Sequence, residues 1–124
     1  MYFDKKRPSE IGQKGEKMVA EYLKSQGYTV IKRNYKDRYG EVDIIAEDCE
    51  NLVFIEVKTR SENAIVSGLD AVDEKKKRLI KNEAVMFTKR LKTDLEPRVD
   101  VAEVTLSVVD GKEVRKLKYI KNAY

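Results

Sequence analysis

Three charged residues stand where strands do not ordinarily carry them. Asp43 lies inside VDIIA, and Glu56 and Lys58 sit two apart near the end of LVFIEV. Both segments are rich in the β-branched and aromatic residues that suit a pleated, half-buried surface. A charge there is costly unless it is paired, hydrated or bound to a metal. One explanation is a cross-strand ion pair between Asp43 and Lys58, worth at most about 1 kcal/mol at a surface. The other is a site. Asp disfavours strand interiors, and two carboxylates with an ammonium beside a basic helix exceed what stability requires. Carboxylates that repel one another are most simply accounted for by a divalent cation. Hydrolysing a phosphodiester needs a nucleophilic water and relief of the charge that builds at phosphorus. Asp43 and Glu56 would hold Mg²⁺ (or Mn²⁺), with the Val57 carbonyl as a neutral third ligand between Glu56 and Lys58. Lys58 would orient or deprotonate the attacking water and contact the scissile phosphate.

The surrounding sequence supplies elements to position these groups. SEIGQKGEKMVAEYLKSQG reads as a helix with Ser9 as N-cap. Its apolar stripe is Ile11, Gly15, Met18, Val19, Tyr22 and Leu23, and Gly27 closes it. YTVIKRNYK, GEVDIIAED and NLVFIEVKTR follow as strands, with a turn at DCEN between the second and third and short connections that predict an antiparallel meander. Alternation puts Val53, Ile55, Val57 and Thr59 on one face of the third strand, with Leu52, Phe54, Glu56, Lys58 and Arg60 on the other. In the second strand it puts Glu41, Asp43 and Ile45 opposite Val42, Ile44 and Ala46. Residues Leu69 to Leu91 predict a long helix whose stripe is Val72, Ile80, Ala84, Phe87 and Leu91. RVDVAEVTLSVV and EVRKLKYI, separated by a turn at Gly111, are the last two strands. The order αβββαββ predicts a single α/β domain over residues 1–124, a mixed sheet with helices packed on it.

Composition narrows the chemistry. The 124 residues carry 26 Lys+Arg against 22 Asp+Glu, a net charge of only +4, so the distribution of charge matters more than its sum. Residues 75–92 hold eight Lys/Arg against one Glu, and residues 32–38 hold four against one Asp. Such faces suit a polyanion, because Lys and Arg contacts to phosphate release counterions. A basic helix face is also an ordinary solvated surface. Lys75, Lys76, Lys77, Arg78, Lys32, Arg33 and Arg60 are the candidate phosphate contacts, and DNA is the expected partner. The chain has no His, which excludes His-based acid–base catalysis and His-ligated zinc. The lone Cys49, in a polar turn, has neither a disulfide partner nor a CxxC mate. No apolar run approaches the roughly 20 residues of a membrane span, and the N-terminus lacks a signal-type core, so a cytoplasmic location is expected.

Asp43 followed by Glu56-Val57-Lys58 resembles the PD-(D/E)xK core of restriction-endonuclease-like nucleases, with Val42 standing where that motif has Pro. The longer pattern is closer still. GxxGE at Gly12, Gly15 and Glu16, GEVD at 40–43, FIEVKTR at 54–60, Ala71-Val72 before Lys76, and RVDV at 98–101 together resemble the bacterial YraN family. That family is similar to archaeal Holliday-junction resolvases. The resemblance implies a restriction-endonuclease-like fold, Asp43 and Glu56 as metal ligands, and Lys58 as the catalytic lysine. It implies that Glu16 completes the site from the first helix. Glu41 would be an outer group or a partner of Arg38 or Arg60. Lys76 matches a helix position where the family often has Lys followed by Gln; here Lys77 replaces the Gln. Asp100 would be structural.

The expected function is therefore a Mg²⁺-dependent DNA endonuclease acting on branched or repair-intermediate DNA. Two rivals belong to other classes: a non-catalytic nucleic-acid-binding protein that retains the fold, and an interaction module whose charges only solubilise it. Two symmetric cuts in a junction would call for a homodimer, for which the sequence offers no decisive stripe.

Overall fold

The computed structural model describes residues 10–61 and 74–124. Helix α1 (Glu10–Ser25) is followed by β1 (Thr29–Asp37), β2 (Gly40–Glu47) and β3 (Asn51–Ser61), then α2 (Glu74–Leu91), β4 (Glu96–Val109) and β5 (Lys112–Ile120). The five strands form one sheet in the order β1-β2-β3-β4-β5. β3 and β4 run parallel, and every other neighbouring pair runs antiparallel. The element order, mixed sheet and flanking helices are those of the expected restriction-endonuclease-like core. Ser9 and residues 69–73, with Val72, lie outside the described residues.

The helices cover opposite faces, and the sequence of β3 explains why. Leu52, Val53, Phe54 and Ile55 are all fully buried, as in a strand sandwiched on both sides. Val53 and Ile55 join Val19, Ala20 and Leu23 of α1 in one apolar cluster. Leu52 and Phe54 join Ile80, Ala84 and Phe87 of α2 in a second. α1 ends as expected at Gly27, whose φ of 91° permits the Tyr28 N–H to reach the Leu23 carbonyl and the Gly27 N–H to reach that of Lys24. Two stripe assignments are corrected. Ile11 and Leu91 are exposed, because each lies in a terminal turn beyond the reach of the sheet.

Gly15 sets how closely α1 approaches. A methyl group built there would overlap Thr59 Oγ1 and come within 2.9 Å of Thr59 Cβ. The absent side chain lets the helix backbone sit on β3, which in turn fixes Glu16, the next residue.

A second correction concerns β2. Val42 packs with Ile45 on the α2 side, whereas Ile44 and Ala46 pack on the α1 side, so regular alternation fails at Asp43. The same inversion occurs opposite, in β1. Arg33 faces Glu16 of α1, but Tyr35 lies edge-on to Phe87 of α2 at 5.1 Å. The physical cause is Asn34, whose φ of 51° inserts a left-handed residue between them. The β1–β2 pairing matches Arg33 with Ile44 and Tyr35 with Val42, so the two strands invert together.

Candidate active site

The inversion puts Asp43 where β2 and β3 part. Their ladder stops at Ile44–Ile55, and beyond it Asp43 Oδ2 accepts the Val57 N–H at 2.8 Å. A side chain thus replaces a backbone rung, leaving β3 free to carry Glu56 past the end of the ladder. Asp43 is half-buried. Its carboxyl is pushed up to about 6, chiefly by burial, with Glu16 and Glu56 adding repulsion while the Val57 N–H and Lys76 oppose it.

Glu56 is almost fully buried and engaged at both oxygens. Tyr124 donates to Oε2 at 2.8 Å, and the Lys76 ammonium stands 2.7 Å from Oε1. Oε1 has no directed hydrogen bond, so the Lys76 contact is an ion pair of poor angle. Lys77 lies over the Tyr124 ring at 5.1 Å and holds that residue against α2. Glu16 is buried on the α1 side with Oε1 making no hydrogen bond. Burial raises its pKa; Arg33 and the Asn34 side chain lower it, and Glu41 raises it again. Arg33 reaches Glu16 only at 4.0 Å.

An open cavity of about 540 Å³ joins Asp43, Glu56 and Lys76, with Glu16, Lys77 and Tyr124 outside its lining. Asp43 and Glu56 line it together with Glu41, Lys36, Arg38 and Tyr39 of the β1–β2 hairpin, and Lys75, Lys76 and Leu79 of α2. The structure therefore brings Asp43, Glu56 and Lys76 to one cavity, with Lys75 at its wall. Lys58 is not among the residues lining it, and the positive charge that lowers the Asp43 pKa is that of Lys76. In register Lys58 lies beside Glu103 of β4. Arg78 is exposed on α2 and Lys32 on β1, outside the lining, while Arg33 turns toward Glu16. Arg60 is half-buried on β3, level with Thr105 of β4. Asp100 is structural, as expected. It is fully buried and accepts bonds from Arg98, from the Tyr119 hydroxyl at 2.6 Å and from the Asn122 N–H at 2.8 Å.

The donor set fits a divalent cation. Asp43 is raised first by burial and then by two neighbouring carboxylates, and Glu16 keeps a buried oxygen that no hydrogen bond reaches, so added positive charge would be favoured here. Among the described residues no three acidic or thiol side chains are close enough to hold a metal by themselves. The fit is to an ion such as Mg²⁺, which takes one or two carboxylates and completes its shell with water and substrate oxygens. Tyr124 is the participant that sequence reading missed, since nothing in KNAY distinguishes it from a solvated tail.

Comparison with known proteins places the chain in a family. The model of the uncharacterised protein family UPF0102 matches residues 15–104. A UPF0102 protein of Syntrophomonas wolfei is 36% identical over 115 residues, covering 93% of this chain and 97% of that one. One of Caldicellulosiruptor saccharolyticus is 39% identical over 116 residues, with the same coverage of each. One of Carboxydothermus hydrogenoformans is 42% identical over 92 residues, covering 73% of this chain and 78% of its own.

Proposed function

Starting from a chain that belongs to the UPF0102 family, the YraN family its motifs resemble, we propose that it is a Mg²⁺- or Mn²⁺-dependent DNA endonuclease acting on branched or repair-intermediate DNA. The observation that carries this reading is the strained acidic pair itself. Asp43 and Glu56 face one basic-rimmed cavity, and Asp43 is held near 6 by burial and by carboxylates that a structural role would not gather.

Asp43, Glu56 and the Val57 carbonyl would hold the metal, with Glu16 reaching it through water from the α1 side. The bound ion would lower the pKa of a water and offset charge on the phosphate. The chain's own residues do the rest. Tyr124 fixes the Glu56 carboxylate through Oε2. Lys76, paired with Glu56 in this structure, would turn to a substrate phosphate once a metal neutralises its partner. Lys75, Lys36 and Arg38 at the cavity wall would hold the flanking backbone as phosphate contacts. Lys58, two residues beyond Glu56 on β3 and outside the cavity lining, would have to turn toward the cavity to orient the water.

The second reading is a nucleic-acid-binding protein without catalysis. It is favoured by Lys76 already neutralising Glu56 and by Lys58 standing outside the cavity. Calorimetric titration with Mn²⁺ in the presence of DNA separates the two. Wild type should bind the ion, Asp43→Asn and Glu56→Gln should lose it, and Lys58→Met should keep it while cleavage falls by about 10²–10⁴-fold. Absence of Mn²⁺ binding by wild type would favour the binding protein. A Lys58→Met protein cutting at the wild-type rate would remove Lys58 from the mechanism.

A further inference from the structure

The β1–β2 hairpin tip carries an aromatic residue that the fold does not use. The turn is Asp37-Arg38-Tyr39-Gly40, and Tyr39 is 50% exposed in it. Two-residue turns favour Asn, Asp and Gly. A tyrosine adds nothing to turn geometry and belongs to neither apolar cluster. It does line the cavity that holds Asp43 and Glu56. The Arg38 guanidinium lies 4.9 Å from the ring centre, and its Nη2 donates to the Tyr39 hydroxyl at 2.7 Å. The guanidinium thus lies over one side of the ring and makes that surface cationic, while Lys36 of the hairpin and Lys75 and Lys76 of α2 line the same cavity.

That surface is held in place. Asp37 Oδ1 accepts the Tyr39 N–H at 2.8 Å. Asp37 Oδ2 accepts the Tyr35 hydroxyl at 3.0 Å and Arg90 Nη2 at 3.2 Å. Arg90 also reaches Glu83 Oε2 at 3.1 Å, and Glu83 is buried in α2. This polar network, which the proposed chemistry leaves unused, ties the tip to the helix forming the opposite cavity wall. An aromatic platform ordered in advance stacks a partner at little entropic cost.

We propose that Tyr39, backed by Arg38, is a stacking platform for an unpaired DNA base, and that the preferred substrate therefore has single-stranded character beside the scissile phosphate. Every base offers a π-face, so such a platform discriminates paired from unpaired DNA and not one sequence from another. Bases inside an intact duplex are stacked on each other and unavailable to the ring. The cationic rim supplies the phosphate contacts on either side. The position of the unpaired base beside a cleaved phosphate rests on the nuclease reading; the binding preference for unpaired DNA stands without it.

The test is therefore made with metal withheld, on a labelled duplex carrying a short unpaired stretch and on the same duplex fully paired. Tyr39→Ala should weaken binding to the first by roughly 5- to 150-fold, the range one stacked base carries, and leave the second within about twofold. Tyr39→Phe should bind both like wild type. The chain contains no Trp, so Tyr39→Trp gives a single reporter that remains informative if the alanine variant folds poorly. Its emission should be quenched by the unpaired DNA and little changed by the duplex. Equal losses on both DNAs for Tyr39→Ala, or Trp emission insensitive to unpaired DNA under saturating binding, would overturn the platform. Failure of metal-dependent cleavage would overturn the nuclease reading and leave this result unaffected.

Discussion

At the scale of residues the account turns on Asp43. Its carboxyl is pushed from an ordinary 3.8 up to about 6, first by burial and then by Glu16 and Glu56. Between those values the folded protein keeps a proton that the unfolded chain releases. The contribution to stability is thus full below about pH 4 and is lost as pH rises through about 6. The displacement corresponds to roughly 3 kcal/mol at most. Asp43→Asn keeps an acceptor for the Val57 N–H and removes the titration. Urea unfolding without divalent metal, from pH 4 to pH 7, should shift the stability difference in the variant's favour by about 2–3 kcal/mol. A flat difference would mean that Asp43 ionises like a surface carboxylate. Asp43 and Glu56 were legible in the sequence because charge interrupts an apolar strand pattern there. Tyr124 was not, because its contact with Glu56 spans 68 positions and leaves no local pattern.

Among the elements, α1 and the β1–β2 hairpin decide where the acids stand. Gly15 allows α1 to sit on Thr59, so Gly15→Ala should not give the usual gain of about 0.5–1 kcal/mol for replacing a helix glycine. Overpacking should instead cost about 1–3 kcal/mol in urea unfolding. In a Thr59→Ala background the loss should shrink, since the overlapping Oγ1 is gone. A stabilised Gly15→Ala protein would refute the close approach. The strands and both helices could be read from periodicity, since burial on one or two faces imposes it directly. The inversion at Asn34 and Asp43 could not. A single left-handed residue reverses the face of everything beyond it while leaving apolar composition unchanged. Strict alternation therefore placed Val42 with Ile44, when the two pack under different helices.

For the whole molecule, a net charge of +4 conceals a sorting of basic groups that only tertiary structure performs. Lys36, Arg38, Lys75 and Lys76 surround the acidic pair, whereas Arg33 turns to Glu16 and Arg90 to Asp37 and Glu83. A charge run in the sequence marked the right helix without telling which of its members face the cavity. Within the described residues no helix is long and apolar enough to cross a membrane. The central claim is that this arrangement cuts DNA with a metal held by Asp43 and Glu56. Its most direct measurement is cleavage of labelled four-way-junction, flap, single-stranded and fully paired DNA with Mg²⁺ or Mn²⁺, wild type beside Glu56→Gln. The account predicts metal-dependent products from wild type on substrates with unpaired or branched DNA, and none from Glu56→Gln at the same concentration. Wild type cutting no substrate with either metal, or Glu56→Gln cutting as fast as wild type, would contradict it.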